Sequence, residues 1–170
     1  MFVSCSGQQN GNGKDSNAKD SAVVENNVDS LDMILGKEVF ETRGRAGVRL
    51  YGEYHKLTRA EVEQTKELLK NHMDSLIALP DSLLLYENEF RLMEKPYPLS
   101  KYVRQYLAAQ QGDNILVWVN LIGTSEDGSI DTFFDYNYII WVEDGGPRFG
   151  NALIDLTRKK IIYLSINSRE

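Results

Sequence analysis

Ile115-Leu116-Val117-Trp118-Val119-Asn120-Leu121-Ile122 is the run whose reading decides the fold of this chain. It is uncharged, β-branched and aromatic, and turn formers flank it: Gln111-Gly112-Asp113-Asn114 before, Ser125-Glu126-Asp127-Gly128-Ser129 after. Such runs between Gly, Asp and Asn clusters are the signature of strands joined by hairpins. Similar runs extend outward from Tyr102 to Ile166, broken again at Asp144-Gly145-Gly146-Pro147 and at Thr157-Arg158-Lys159-Lys160. The pattern predicts an antiparallel sheet of four to five strands.

Side chains alternate across a strand, so parity assigns faces. Ile115, Val117, Val119 and Leu121 share one face of this run, and Leu116, Trp118, Asn120 and Ile122 the other. Thr132–Asp144 alternates as well, with Phe134, Tyr136, Tyr138, Ile140 and Val142 opposite Phe133, Asp135, Asn137, Ile139, Trp141 and Glu143. It reads as a further strand. Neither run has the clean polar face of a half-solvated antiparallel sheet. Part of the second face is therefore covered, by the segment Leu31–Leu57 in the first place, or else by another copy of the chain or a ligand.

The strongest helix signal begins at Thr58. Thr58 and Glu61 fit a capping box, and Leu57 with Val62 fits the hydrophobic staple across it. Val62, Leu69, Met73, Leu76 and Ile77 fall on one stripe, with Glu63, Lys66, Glu67 and Lys70 outward. Pro80 stops the helix, because the residue before a proline resists the helical region. The spacing of Leu83, Tyr86, Phe90 and Met93 predicts a second, short helix, ended by Pro96-Tyr97-Pro98. Val48–Leu57 reads as a weak strand, interrupted by Gly52. The expected fold class is α+β, one long N-terminal helix packed on a curved antiparallel sheet. That outline is shared by cystatin-like and nuclear-transport-factor-like folds, a shape analogy that licenses no function.

The chain has 170 residues, a formal net charge of −6 and one cysteine, Cys5. Its length accommodates one domain (31–170) and a tail (1–30). The acidic balance argues against nucleic acid as a partner, and a single cysteine provides neither an internal disulfide nor a Cys-based zinc site. No apolar run approaches the ~18–20 residues of a membrane span. After Gly7 and up to about Asp20 the sequence is rich in Gln, Asn, Gly, Ser, Lys and Asp, too poor in apolar groups to offset the entropy of ordering, and reads as a tether.

Phe2-Val3-Ser4-Cys5 resembles the end of a bacterial lipoprotein signal, in which an apolar and a small residue precede the lipidated cysteine. The resemblance implies lipid attachment at Cys5 and a domain held on a membrane of the cell envelope, periplasmic or surface-facing. Only four residues precede Cys5, so a leader requires an upstream start. If Cys5 is not processed, the terminus is cytoplasmic. Over about the last 75 residues, Tyr97-Pro98-Leu99-Ser100-Lys101-Tyr102-Val103-Arg104-Gln105-Tyr106, then Val117-Trp118-Val119-Asn120, then Asp144-Gly145-Gly146, resemble a group of small uncharacterised exported bacterial proteins. That group carries Asn-Cys and Cys-Phe pairs where this chain has Pro147-Arg148 and Leu121-Ile122. The resemblance implies export and no particular activity.

Candidate chemistry is sparse. Glu126, Asp127, Asp131 and Asp135 are the densest acidic cluster, but they lack calcium-loop spacing and read as a solvated hairpin loop. His72 and His55 stand far apart in sequence and are not a ligand pair. Gly-x-Ser-x-Gly, His-Glu-x-x-His and Gly-rich dinucleotide loops are absent, and no cofactor is implied. Arg104 is a strand arginine that either binds an anion or covers an aromatic neighbour. Two functions remain. One is a lipid-anchored, non-catalytic binding module whose face is Trp118, Phe133, Ile139 and Trp141, with a protein partner or a second copy as its target. The other is a small enzyme with a pocket between helix and sheet, using Asp135 or His55 as acid or base. The binding module takes precedence, because the Phe134–Val142 face offers only tyrosine hydroxyls.

Overall fold

The computed structural model describes residues 31–80, 91–92, 95–125, 127–142 and 145–167. The tail with Cys5 lies outside them, as does most of the helix expected over Leu83–Met93, whose Arg91–Leu92 part is a strand. Chain order is β1 (Asp32–Ile34), α1 (Lys37–Thr42), β2 (Glu53–Tyr54), α2 (Arg59–Ala78), β3 (Arg91–Leu92), β4 (Tyr102–Gln111), β5 (Asn114–Gly123), β6 (Phe149–Asp155) and β7 (Lys160–Ile166).

The fold is α+β. Among the described residues, a seven-stranded sheet runs β1-β4-β5-β6-β7-β3, with β2 also paired to β4. β4 to β7 are antiparallel neighbours. The sheet as a whole is mixed, because β1 lies parallel to β4 and β3 parallel to β7. This corrects the expectation of one N-terminal helix on a wholly antiparallel sheet: α1 precedes α2, and short parallel strands occupy both edges. Two- and three-residue edge strands are too brief for their alternation to show in a sequence.

α2 forms where its caps place it. Thr58 Oγ1 accepts from Glu61 N (3.3 Å), and Thr58 N donates to Glu61 Oε2 (2.7 Å), completing the capping box. Leu79 before Pro80 is extended, and the helix stops at Ala78. Val62, Thr65, Leu69, Met73 and Leu76 are buried on its inner stripe, while Ile77 is only half-buried. That stripe packs on Tyr102, Tyr106, Val117, Val119, Leu121 and the inward residues of β6 and β7. The hairpin between β4 and β5 turns at Gly112 (φ 59), as a two-residue loop opening on glycine requires.

The second face is covered by the chain itself, in two parts. Leu35, Val39, Phe40, Val48 and Leu50 of the entry segment cover Leu107, Ala109 and Trp118. Val103, Ile122 and Ile140, flanked by Ile130, Phe134, Tyr136, Val142 and Phe149, form the rest. The expected strand Thr132–Asp144 is absent over its described residues; 127–142 is a strap of turns. The reason lies in its aspartates. Asp127, Asp131 and Asp135 each accept, at 2.9, 2.9 and 3.1 Å, the backbone N–H two residues on (Ser129, Phe133 and Asn137). Such side-chain turns compete with the ladder for the backbone and break the strand every four residues.

Candidate functional site

Two buried polar constellations lie on opposite faces of the sheet. Under α2, Arg104 on β4 donates through Nε to Asp32 Oδ1, and Tyr106 Oη donates to the same oxygen at 2.9 Å. Lys66 Nζ stands 2.8 Å from Asp32 Oδ2. The Arg104 guanidinium also donates to the carbonyls of Leu99 and Tyr102 at 3.0 and 3.1 Å. Burial alone raises the Asp32 pKa, but hydrogen bonds from Arg104 and Lys66 outweigh it and hold the carboxyl below its ordinary value. Burial, with the Asp32 charge beside it, pushes the Tyr106 hydroxyl well above the usual range. Asp32 and Arg104 are 3% and 2% exposed, so the pair meets no solvent-borne substrate. It fastens β1 and α2 to β4. Arg104 therefore holds an internal anion, and Lys66, expected outward, turns in to the same carboxylate.

On the second face, strand register sets polar residues in a row. Gln105 pairs with Asn120, Asn120 with Asn151, and Asn151 with Ser165. Gln105 and Asn120 are fully or nearly buried, and each is committed to the strap. Gln105 Nε2 donates to Tyr136 O and Tyr138 O at 2.9 and 2.6 Å, and its Oε1 accepts from Ile140 N at 3.2 Å. Asn120 Nδ2 donates to Gln105 Oε1 (3.0 Å) and Ile140 O (2.6 Å). Beyond β7, Asn167 Nδ2 donates to Val142 O at 2.6 Å. The strap thus lies on the sheet through side-chain amides, which satisfy carbonyls that lack a ladder partner.

Where the strap ends, the row emerges into a cleft of about 230 Å³. Asn151 and Ser165 line it from the sheet, Trp141 and Val142 from the strap, and Phe149 and Asn167 complete its wall. Gly145 makes this wall possible, because a Cβ there would collide with the Phe149 ring. Asn151 and Ser165 are half-buried and make no side-chain hydrogen bond among the described residues. None of the described residues lining the cleft is ionisable. Glu143 and Asp144, next along the chain, lie outside the described residues. A shallower depression along α2, among Glu63, Lys66, Glu67 and Lys70, is the solvated side of the helix, with Lys66 committed to Asp32 and Glu63.

The four residues expected to form one binding face are dispersed. Trp118 is buried under the entry segment, and Ile139 packs half-buried against the same cluster. Phe133 (88% exposed) and Trp141 (52%) stand on the strap, where Tyr138 joins them as an exposed aromatic. The common face failed because it needed the strap to be a strand. The acid–base candidates are engaged elsewhere: His55 Nε2 lies 3.0 Å from Glu61 Oε1 at the cap of α2, and exposed Asp135 closes its own turn. His72 is half-buried on α2. Among the described residues no cluster of His, Cys, Asp or Glu fits a metal ion. Gln105, Asn151, Ser165 and Asn167 were missed as site residues; the sequence signals only Asn151 and Ser165, as polar side chains between apolar strand neighbours, and their alignment with Gln105 needs the strand registers. No protein family, curated protein or solved structure matches the chain.

Proposed function

We propose that the chain is a non-catalytic binding module of the bacterial cell envelope, tethered to a membrane by lipid at Cys5, that engages its partner through the strap side of the sheet. The observation that carries the reading is the cleft beside Trp141: the uncommitted side chains of Asn151 and Ser165 and an aromatic wall, none of the described lining ionisable, opening from a sheet otherwise filled on both faces. General acid–base chemistry needs titratable groups converging on a substrate, whereas binding needs an aromatic anchor and a few placed polar groups. Exposed Phe133 and Tyr138 on the same strap extend the aromatic surface. The tether rests on the sequence around Cys5 and the polar run after it.

Two measurements test the two halves. Expressed in its bacterial host from the native gene, the chain should partition into a detergent-soluble membrane fraction with lipid mass at Cys5, and Cys5→Ser should release it without moving its melting temperature. A free thiol on a cytosolic protein would refute the anchor. Purified full chain should be retained on an insoluble envelope preparation, and Phe133→Ala/Trp141→Ala should cut retention at least tenfold. Equal retention of both proteins would refute the strap as the recognition surface.

A further inference from the structure

We infer that the sheet face beside the strap docks an unstructured, basic segment of a partner polypeptide, gripping its main chain through Asn151 and Ser165; this rests on the binding-module reading above and names the partner's chemistry. The row already holds main chain. The carbonyls of Tyr136, Tyr138, Ile140 and Val142 each accept from a side-chain amide of Gln105, Asn120 or Asn167, at 2.6 to 2.9 Å. Ile140 N donates in return to Gln105 Oε1. The strap is thus bound to this face as a peptide ligand is bound, through its main-chain groups and without a strand ladder. Of its described side chains only that of Ile140 is buried.

Asn151 and Ser165 continue the same row over β6 and β7, paired with each other and next to Asn120. The strap leaves the row before reaching them, passing from Ile140 O on Asn120 to Val142 O on Asn167. Both side chains are half-buried, and neither makes a hydrogen bond among the described residues. A carboxamide has one acceptor oxygen and two N–H donors, and a hydroxyl both donates and accepts. Gln105 and Asn120 use the same equipment on the strap. Main chain outside helix and sheet carries unpaired donors and acceptors along its length, so a segment crossing β6 and β7 meets there what the strap meets on β4 and β5. The cleft over the two residues, about 230 Å³, is below the roughly 300–1,000 Å³ of sites that enclose a drug-sized molecule, and suits a chain passing across.

The sign of the partner follows from where the charge lies along the sequence. Residues 125–147 hold six of the 25 acidic residues and none of the 19 basic ones. The rest of the chain, with nineteen of each, is neutral, so the whole formal charge of −6 belongs to the strap and its two ends. Asp32 and Asp155 are paired with cations. Asp127, Asp131 and Asp135 are in no ion pair among the described residues, and each closes its turn through Oδ1. Charge of one sign gathered on one segment attracts the opposite sign. Exposed Phe133, Tyr138 and Trp141, set among those carboxylates, add aromatic rings of the kind on which Lys and Arg side chains rest.

The test titrates isotope-labelled full chain with a lysine–threonine decapeptide, its glutamate–threonine counterpart, and the lysine peptide N-methylated at alternate main-chain nitrogens. The lysine peptide should shift the Asn151 carboxamide signal and saturate at millimolar concentration, with the other two at least tenfold weaker. Asn151→Ala/Ser165→Ala should weaken its binding at least tenfold without moving the melting temperature, because neither side chain bonds to the described protein. Asp131→Asn/Asp135→Asn keeps both turns, since an Asn Oδ1 accepts the same N–H, and should lower the affinity at least threefold. No shift with the lysine peptide, an equal response to its N-methylated form, or undiminished binding in Asn151→Ala/Ser165→Ala would overturn the main-chain site. Equal binding of the glutamate peptide would overturn the basic partner. The same shifts on raising the protein concentration alone would make a second copy the occupant and overturn an outside partner. If the peptide site falls while envelope retention still depends on Phe133 and Trp141, the module reading stands; if retention is indifferent to them, that reading falls whatever the peptides do.

Discussion

Replacing Gln105 by leucine probes the contact on which the strap depends. Leucine is close in volume and apolar, so the change removes hydrogen bonds while filling the same space. Four are lost: to Tyr136 O, to Tyr138 O, from Ile140 N and from Asn120 Nδ2. At about 0.5–1.5 kcal/mol for each bond of this kind, the loss is about 2–6 kcal/mol, and the upper half is favoured where strap groups are left buried without partners. With an m-value of ~2 kcal/mol/M, the urea midpoint should fall by about 1–3 M. Hydrogen exchange locates the effect, since the Ile140 amide loses its acceptor and should exchange faster, while amides in the middle of α2 change only as global stability dictates. Acrylamide should also quench Trp141 more strongly as its segment loosens. An unchanged midpoint together with unchanged exchange at Ile140 would show that the strap is held by Ile140, Phe134 and Val142 packing alone.

Three further substitutions separate the layers. Asp32→Asn should cost about 3–5 kcal/mol at neutral pH, because Arg104 is left buried beside a neutral amide. The folded Asp32 pKa lies below the ordinary 3.8, so its stabilisation is complete above about pH 4 and is lost as pH falls through the depressed value. The variant's melting temperature should accordingly decline less steeply below pH 4 than the parent's, and parallel curves would remove Asp32 as the acid-sensitive group. Trp118→Ala should cost about 3–5 kcal/mol as a core substitution, whereas Trp141→Ala, on the exposed strap, should stay within about 1 kcal/mol. Reversed magnitudes in urea titrations would mean that the entry segment does not seal Trp118.

What the sequence disclosed depended on how local the governing contact is. Thr58, Glu61 and Pro80 fix α2 by contacts within a few residues, and they were legible. So was the hairpin at Gly112, and so were the two faces of β5, because parity needs only one strand. The strap misled because its apolar residues do alternate; Asp127, Asp131 and Asp135 closing turns at a spacing of four were the contrary signal. The site could not be read, since Gln105, Asn120, Asn151 and Ser165 become a row only when three strand registers are known. The pairing of Asp32 with Arg104 joins residues 72 apart, and nothing within either segment announces the other.

The short edge strands have a consequence for how copies of this protein meet one another. β4 is ten residues long with its first eight buried, and an open edge of such a strand would be a template for a neighbour's backbone. Its outer side is instead shared by two segments. Leu31–Leu35 takes the positions around Arg104 to Tyr106, and Glu53–His55 takes Ala108 to Gln110. Neither cap is itself long enough to recruit a strand: β1 has three residues and β2 two. At concentrations where an open β4 edge would begin to pair with a neighbour's backbone, this edge presents only two- and three-residue strands, so its protection depends on Leu31–Leu35 and Glu53–His55 keeping their places.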